Sequence, residues 1–167
     1  MEQARPVRQA TLCEVIDRTN NRILLAMKKR GFGVGKFNGY GGKVKEGESV
    51  AQAMIRELKE ESGLDVTNEN LIKVCEFDFY FPHKPEFNQT VHVFLVEKYS
   101  GEPVETEEMA FQWFGLNEIP YGKMWDDDKY WLDRIVKGEK LSGYFVFKNV
   151  NGENIVDKQE LRVVWEF

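Results

Sequence analysis

The chain has 167 residues, of which 42% are hydrophobic and 13% aromatic, and a formal net charge of −5. This length and composition predict one folded domain over residues 1–167 and argue against disorder. The negative charge argues against a nucleic acid polymer as partner, because binding to a phosphate backbone requires a basic surface. No apolar run of the sequence approaches the roughly 18–20 residues that span a membrane, and the N-terminus lacks a signal-peptide core. We therefore expect a cytoplasmic monomer that has no membrane partner.

The hydrophobic pattern predicts an α/β order of elements. Strands are expected over residues 8–16 and 22–27, followed by a helix over residues 50–62. The remaining predicted elements are strands at 71–81, 90–98 and 107–114, a helix at 126–137, and a hairpin of residues 141–148 and 155–164. This order of strands and helices predicts a protein of the α/β class.

The first predicted helix has signals at both ends. Ser49 can cap its start, because a serine oxygen accepts a hydrogen bond from a free N–H of the first turn. Gly63 stands where a left-handed residue favours the end of a helix. The apolar positions of this helix are Val50, Ala51, Ala53, Met54, Ile55 and Leu58.

Three glutamates lie on one arc of the same helix. Glu57, Glu60 and Glu61 are three and four residues apart, and like charges at a spacing of four repel by a few tenths of a kcal/mol. We expect no basic residue on that arc to offset them. The alternative interpretation is a solvated acidic face, but a divalent cation would turn this repulsion into binding energy. Oxygen ligands with room for water and phosphate favour Mg²⁺, with Mn²⁺ able to substitute.

Residues 42–64, GKVKEGESVAQAMIRELKEESGL, match a longer pattern at every fixed position. The pattern is Gly, five residues, Glu, seven residues, then Arg-Glu-Leu-X-Glu-Glu-X-Gly-Leu. A chance match is on the order of one in 10⁸, since its seven Gly, Glu and Arg positions each have a background usage of roughly 6–7%. The segment is identified as a Nudix box, and the chain resembles Nudix hydrolases, which cleave nucleoside diphosphates linked to another group. The resemblance implies the α/β Nudix fold, a mixed sheet sandwiched between helices with a loop–helix–loop metal site.

The resemblance also implies which residues bind the metal. The implied ligands are the carbonyl of Gly41 and the carboxylates of Glu57, Glu60, Glu61 and Glu105. Glu61 is the leading candidate for activating the attacking water, and Glu105 is the alternative. On the sequence alone, however, Glu105 is one of four acids between residues 102 and 108, so surface charge is an equal interpretation. Arg56 is grouped with these catalytic residues because its pairing with Glu48 is implied to orient the carboxylates.

Two further segments, residues 27–43 and 124–131, resemble the mammalian MutT-homologue branch, the oxidised purine nucleoside triphosphatases. The substrate-binding residues implied by that branch are Thr11, Lys28, Phe32, Asn38, Phe79, Trp125, Asp127 and Asp128. Trp125 offers a flat face on which a purine can stack, worth roughly 1–3 kcal/mol. Asp127 and Asp128 can bond the base edge if one holds a proton, because repulsion and burial raise the pKa of such a pair.

The base-pocket segments also have a structural interpretation and several departures from the branch. Acids at residues 126–128 are favoured at a helix N-terminus by the macrodipole. Phe37 replaces a tryptophan of the mammalian enzymes, and Asp126 replaces a proline. The loop at residues 81–89 is longer, and Gln89 stands where a methionine is expected. These changes affect the base pocket more than the metal site.

The implied reaction is Mg²⁺-assisted hydrolysis of oxidised purine nucleoside triphosphates, such as 8-oxo-dGTP and 2-hydroxy-dATP, to a monophosphate and pyrophosphate. The small-molecule partner is then a nucleotide. A first alternative is a hydrolase of dinucleoside polyphosphates or nucleotide sugars, for which Tyr80, sixteen residues after Leu64, is a single-residue signal. A second is a non-catalytic nucleotide-binding domain, which the intact acidic motif at residues 56–61 disfavours. Cys13 and Cys75 are interpreted as packing residues.

Overall fold

Eight strands form one sheet in residues 4–167, the part of the chain that the computed structural model describes. In chain order the elements are β1 Gln9–Asp17, β2 Arg22–Lys28, β3 Phe37–Asn38, α1 Val50–Ser62, β4 Ile72–Tyr80, β5 Gln89–Val96, β6 Met109–Gly115, α2 Asp128–Val136, β7 Lys140–Val150 and β8 Glu153–Val164. Residues 1–3 of the predicted domain lie outside the described residues. Within residues 4–167, neither helix is long and apolar enough to cross a membrane.

The sheet is mixed, as predicted. Its strand order is β3-β2-β1-β5-β4-β7-β8, and β6 also pairs with β2. The pairs β1–β5 and β4–β7 are parallel, whereas the other neighbours are antiparallel. β1 and β2 pair only from Val15↔Leu24 to Asp17↔Arg22, so the first half of β1 is separated from β2. This separation creates the space in which the functional site is built.

The two helices cover opposite faces of the sheet. Each strand can contribute to both contacts, because its successive side chains point to opposite sides. Met54 and Leu58 of α1 pack with Cys13 of β1 in one apolar cluster. Trp131 and Leu132 of α2 pack with other sheet residues in a second cluster. The arrangement of a sheet between helices is therefore confirmed. Both cysteines are free and buried in these clusters, in agreement with a packing role.

The predicted strands and helices are found with boundary shifts of a few residues. The short strand β3 was not predicted; its two residues carry too little pattern to be recognised alone. α2 begins at Asp128, two residues later than predicted. The reason is that Asp126 bonds outside the helix, where its Oδ2 accepts the Val156 N–H of β8 at 2.8 Å.

α1 has the two end signals that the sequence predicts. Ser49 Oγ accepts the Gln52 N–H at 3.1 Å, while Gln52 Oε1 accepts the Ser49 N–H at 2.8 Å, a reciprocal capping box. Gly63 is left-handed, with φ of 81°, and its N–H bonds the Lys59 carbonyl. These ends fix where the helix starts and stops, and hence which turn carries the glutamates.

We expect Ser49→Ala to lower the free energy of unfolding by about 1 kcal/mol, because it removes the acceptor for a free N–H of the first turn. Urea unfolding followed by circular dichroism measures this change. Ser100→Ala is the matched control, since Ser100 is exposed and its backbone makes the bond to Asp65. Equal stability of the two variants would contradict the role of the cap.

Candidate active site

The glycine-rich loop fills the gap between the separated strands. Its backbone pairs with β1 through the Thr11 N–H to the Gly42 carbonyl at 2.8 Å and the Cys13 N–H to the Tyr40 carbonyl at 2.6 Å. A Cβ on Gly42 would lie 2.6 Å from the carboxyl carbon of Glu57. A side chain on Gly42 would therefore displace the Glu57 carboxylate, and the loop and α1 form one wall.

The three helix glutamates border a common cavity of about 460 Å³. Gly41, Gly42, Glu57, Glu60 and Glu61 all line it. The Gly41 N–H donates to Glu61 Oε1 at 2.9 Å. Burial raises the pKa of Glu61 to about 8, and the charge of Glu57 contributes in the same direction. A cation bound at this point would favour the ionised form of Glu61.

The prediction that no basic residue offsets the glutamates is wrong. The Arg56 guanidinium contacts Glu57 at 2.7 Å and Glu60 at 3.3 Å, because its long side chain reaches along the helix. It also bonds Glu48 at 2.6 and 3.0 Å and the Lys43 carbonyl at 3.1 Å. These bonds hold the pKa of Glu48 at about 2. Arg56 thus connects the loop to two of the carboxylates, which is the orienting geometry expected of the Arg56–Glu48 pair.

The donor chemistry of this cavity fits a hard divalent cation. Glu57 and Glu61 are partly buried carboxylates next to the peptide of Gly41 and Gly42, so oxygens are the metal ligands available here, while Lys28 and Arg30 also line the cavity. Among residues 4–167, however, no three His, Cys, Asp or Glu side chains converge closely enough to hold a metal alone. A divalent ion bound here would therefore need further ligands from water or from a bound molecule.

Glu105 is not brought together with the helix glutamates. Its side chain is 60% exposed and forms an ion pair with Lys29 at 3.1 Å. It lies outside the carboxylate cavity, whereas the following residues Thr106, Glu107 and Glu108 line it. Only the family resemblance distinguished Glu105 from the other acids of this loop, and the geometry agrees with surface charge at Glu105.

A second cavity of about 400 Å³ adjoins the first. All the predicted substrate-binding residues line it: Thr11, Lys28, Phe32, Asn38, Phe79, Trp125, Asp127 and Asp128. Glu61, Gly41 and Lys28 line both cavities. The proposed base pocket and the glutamates of α1 therefore meet at Glu61, across the gap between β1 and β2.

Aromatic rings surround the mouth of the second cavity. Phe32 stacks on Phe87 with ring centroids 5.3 Å apart and an interplanar angle of 7°, and it lies 5.4 Å from Trp125. Phe32 is 58% exposed, so these rings present open faces. Phe87, in the longer loop after β4, was missed by the sequence analysis. Its signal was an aromatic residue in a loop already recognised as unusual.

Two buried aspartates lie at the N-terminal end of α2. Asp127 Oδ2 accepts the Trp131 indole N–H at 2.9 Å, and its side chain makes no capping bond to the helix. This bond argues against simple helix capping. Burial raises the pKa of Asp127 to about 6. Asp128 Oδ2 has no hydrogen-bond partner among the described residues, and burial followed by the charge of Asp127 raises the pKa of Asp128 well above its ordinary value. At neutral pH the pair can therefore present one acceptor and one donor.

Comparison with known proteins places this geometry in a family. The NUDIX domain model matches residues 6–135. The chain is 47% identical over 128 residues to the oxidized purine nucleoside triphosphate hydrolase of Mus musculus, which covers 77% of this chain and 80% of the mouse protein. It is 44% identical over 140 residues to the protein of the same name in Danio rerio, which covers 84% of this chain and 86% of the fish protein.

The fold comparison agrees. The structure of the mMutator MutT protein from Bacillus halodurans has a TM-score of 0.70 and covers 93% of this chain and 97% of its own, at 22% identity. That likeness concerns the fold alone, and it confirms the α/β arrangement expected of Nudix proteins. Nudix hydrolases generally use divalent metal ions, in agreement with the oxygen donors of α1. The family model, the two relatives and the fold lead to one conclusion: this chain belongs to the Nudix family.

Proposed function

We propose that the protein is a Mg²⁺-dependent pyrophosphohydrolase of oxidised purine nucleoside triphosphates, which it converts to monophosphates and pyrophosphate. The observation that carries this proposal is the junction of an aromatic and acidic pocket with the helix glutamates at Glu61. Relatives at 44–47% identity bear the name of this activity, which supports the assignment. The protein would thereby remove damaged purines from the nucleotide pool.

The phosphate half of the site would be held by residues of α1 and the adjoining strands. Glu57, Glu60 and Glu61 would bind Mg²⁺, which supplies charge neutralisation on the phosphates and lowers the pKa of bound water. Glu61 is positioned to accept the proton of the attacking water, since it borders both cavities and its Oε1 is oriented by Gly41. Lys28 also borders both cavities and offers positive charge to the triphosphate.

The base half of the site can distinguish purines by hydrogen bonding. A protonated Asp128 donates, an ionised Asp127 accepts, and an exchange of the proton reverses the two roles. Asn38 lies on β3 and brings an amide donor and acceptor to the same cavity. Trp125 and Phe32 contribute the stacking surface. A pocket of this kind accepts both oxidised guanine and oxidised adenine, because each needs a different donor and acceptor order.

The alternative as a dinucleoside polyphosphate hydrolase receives no support from Tyr80. That side chain is buried, packs near Tyr144 and borders neither described cavity. A cytoplasmic location, a monomeric state and the lack of a nucleic acid partner stay predictions from composition.

Steady-state kcat/KM with Mg²⁺ for 8-oxo-dGTP, 2-hydroxy-dATP, dGTP and diadenosine tetraphosphate tests the proposed function. We expect the oxidised triphosphates to be preferred about tenfold or more, and Glu61→Gln to lower kcat by roughly 10²–10⁴-fold, the usual contribution of a general base. Glu46→Gln, in the exposed part of the loop that precedes α1, is the control and should keep full activity. Equal rates on all substrates, or a preference for the dinucleotide, would overturn the base assignment.

Asp127→Asn should change the order of preference among the purines, because an amide cannot exchange a proton with Asp128. We expect kcat/KM for one oxidised triphosphate to fall at least tenfold relative to the other, with the Mg²⁺ concentration dependence unchanged. Asp133→Asn removes an acid from the more exposed side of α2, where Asp133 pairs with Lys137, and serves as the control. Equal losses on every substrate would remove Asp127 from base recognition.

Phe87→Ala should raise KM for 8-oxo-dGTP about tenfold with little change in kcat, since an aromatic stacking face contributes roughly 1–3 kcal/mol to binding. Phe167→Ala, an exposed ring near Lys73 of β4, is the matched control. An unchanged KM would show that Phe87 only covers Phe32.

A further inference from the structure

Glu14 is a buried carboxylic acid that the proposed reaction does not use. It lies in the middle of β1 and is 0% exposed, and neither carboxyl oxygen has a hydrogen-bond partner among the described residues. An unpaired carboxylate is among the most unfavourable groups that a protein interior can hold. Burial of such a group lowers the stability of the fold, so its presence in the interior of β1 needs a physical explanation.

The carboxyl of Glu14 lies directly behind the base pocket. A Cβ on Gly39 would be 2.8 Å from Glu14 Oε1, and Gly39 itself lines the pocket next to Asn38. On the other side are Asp127 and Asp128, both buried and both lining the same cavity. Asp128 Oδ2 also has no partner among the described residues. Two unpaired buried acids thus lie close together at the base-binding end of the site.

The ionisable groups that face Glu14 offer no compensating positive charge. They are Asp127 and Asp128 from the start of α2, Tyr121 from the turn before it, Cys75 from β4 and Cys13 next to Glu14 in β1. All of these groups are acids, so each charge that forms makes the next one harder to form. The ionisation of one carboxyl therefore affects the pKa of its neighbours.

We propose that Glu14 is a positioning residue for base recognition, which acts through Asp128 by holding the proton that Asp128 donates to the oxidised purine. The inference rests on the proposed function, since it assigns a purpose to the protonated state of Asp128. Glu14 does not line the cavity, so it acts on Asp128 through its charge and not by contact with the base.

The charges of the three acids explain how the proton is retained. Burial, and then the charge of Asp127, raises the pKa of Glu14 to about 8, and the charge of Glu14 in turn adds to the elevation of the Asp128 pKa. As the pH rises, Glu14 becomes ionised and gains a negative charge. Its negative charge then makes the loss of the Asp128 proton less favourable. The donor facing the base is thereby preserved to a higher pH than the two aspartates alone would allow.

The test is the pH dependence of kcat/KM for 8-oxo-dGTP in the wild type and in Glu14→Gln, which keeps the shape and removes the charge. We expect the alkaline limb of the variant to move to lower pH by about one unit, with near-normal activity on the acidic side. Glu14→Asp keeps the charge and should retain the wild-type limb. Asp133→Asn, on the more exposed side of α2, should also leave the limb in place.

A uniform loss of activity in Glu14→Gln, with the limb unmoved, would overturn the proposal and assign Glu14 to packing alone. The carboxyl ¹³C titration of the substrate-free protein provides a second reading that needs no turnover. It should show Glu14 ionising before Asp128 in the wild type, and Asp128 ionising at lower pH in Glu14→Gln. If the variant does not fold, the order in which Glu14 and Asp128 ionise in the wild type is the deciding measurement, and ionisation of Asp128 first would overturn the proposal.

The two possible failures are distinguishable. Lack of activity on oxidised triphosphates overturns the proposed function, whatever the carboxyl titration shows. An unmoved limb together with an unmoved Asp128 titration overturns the role of Glu14 while leaving the enzyme's activity assigned.

Discussion

The backbone pairing between β1 and the glycine-rich loop is the constraint on which the rest of the site depends. By occupying the place next to β1 that β2 has left, the loop holds the Gly41–Gly42 peptide against α1 on one side of the sheet. The same gap opens toward α2 on the other side, where the base pocket forms. A change that closed this gap would affect the proposed phosphate and base sites together, although their side chains come from distant parts of the chain. The close contact of Gly42 with Glu57 makes this coupling steric as well as electrostatic.

The site contains two groups of acids whose charges are managed in opposite ways. On α1, Arg56 bonds Glu57 and Glu60, whereas Glu61 lies nearer the base pocket. A cation bound beside these glutamates would therefore add to the positive charge that Arg56 already supplies. At the start of α2, burial without a cation favours retention of protons. In the proposed function, the first group would hold a metal ion that binds the negative phosphates. The second group would form hydrogen bonds with a neutral base, which needs donors and acceptors. If both acidic groups faced the triphosphate, their negative charges would repel it. The separation of the two cavities avoids this repulsion.

Local sequence patterns were sufficient for the parts of the fold that depend on neighbours along the chain. Ser49 and Gly63 fixed the ends of α1, and alternation located the long strands. The base pocket came from resemblance, since its residues are contributed by strands β1 to β4, two loops and α2. The reach of Arg56 to the glutamates was missed because helical spacing describes Cβ positions and not the ends of long side chains. Phe87 was missed because its partner Phe32 is more than fifty residues away, and no local pattern encodes that contact.

Glu14 marks the limit of sequence reasoning most clearly. A glutamate in a strand usually faces water, and nothing in its neighbourhood along the chain indicates otherwise. Its burial follows from tertiary packing, since the charges that act on it and on which it acts include those of Asp127 and Asp128, more than a hundred residues away in the chain. Since a buried acid without a partner lowers stability, its cost is best understood together with the two aspartates that share its surroundings. A leucine at this position would favour folding, but it would leave only burial and the charge of Asp127 to keep the Asp128 pKa high.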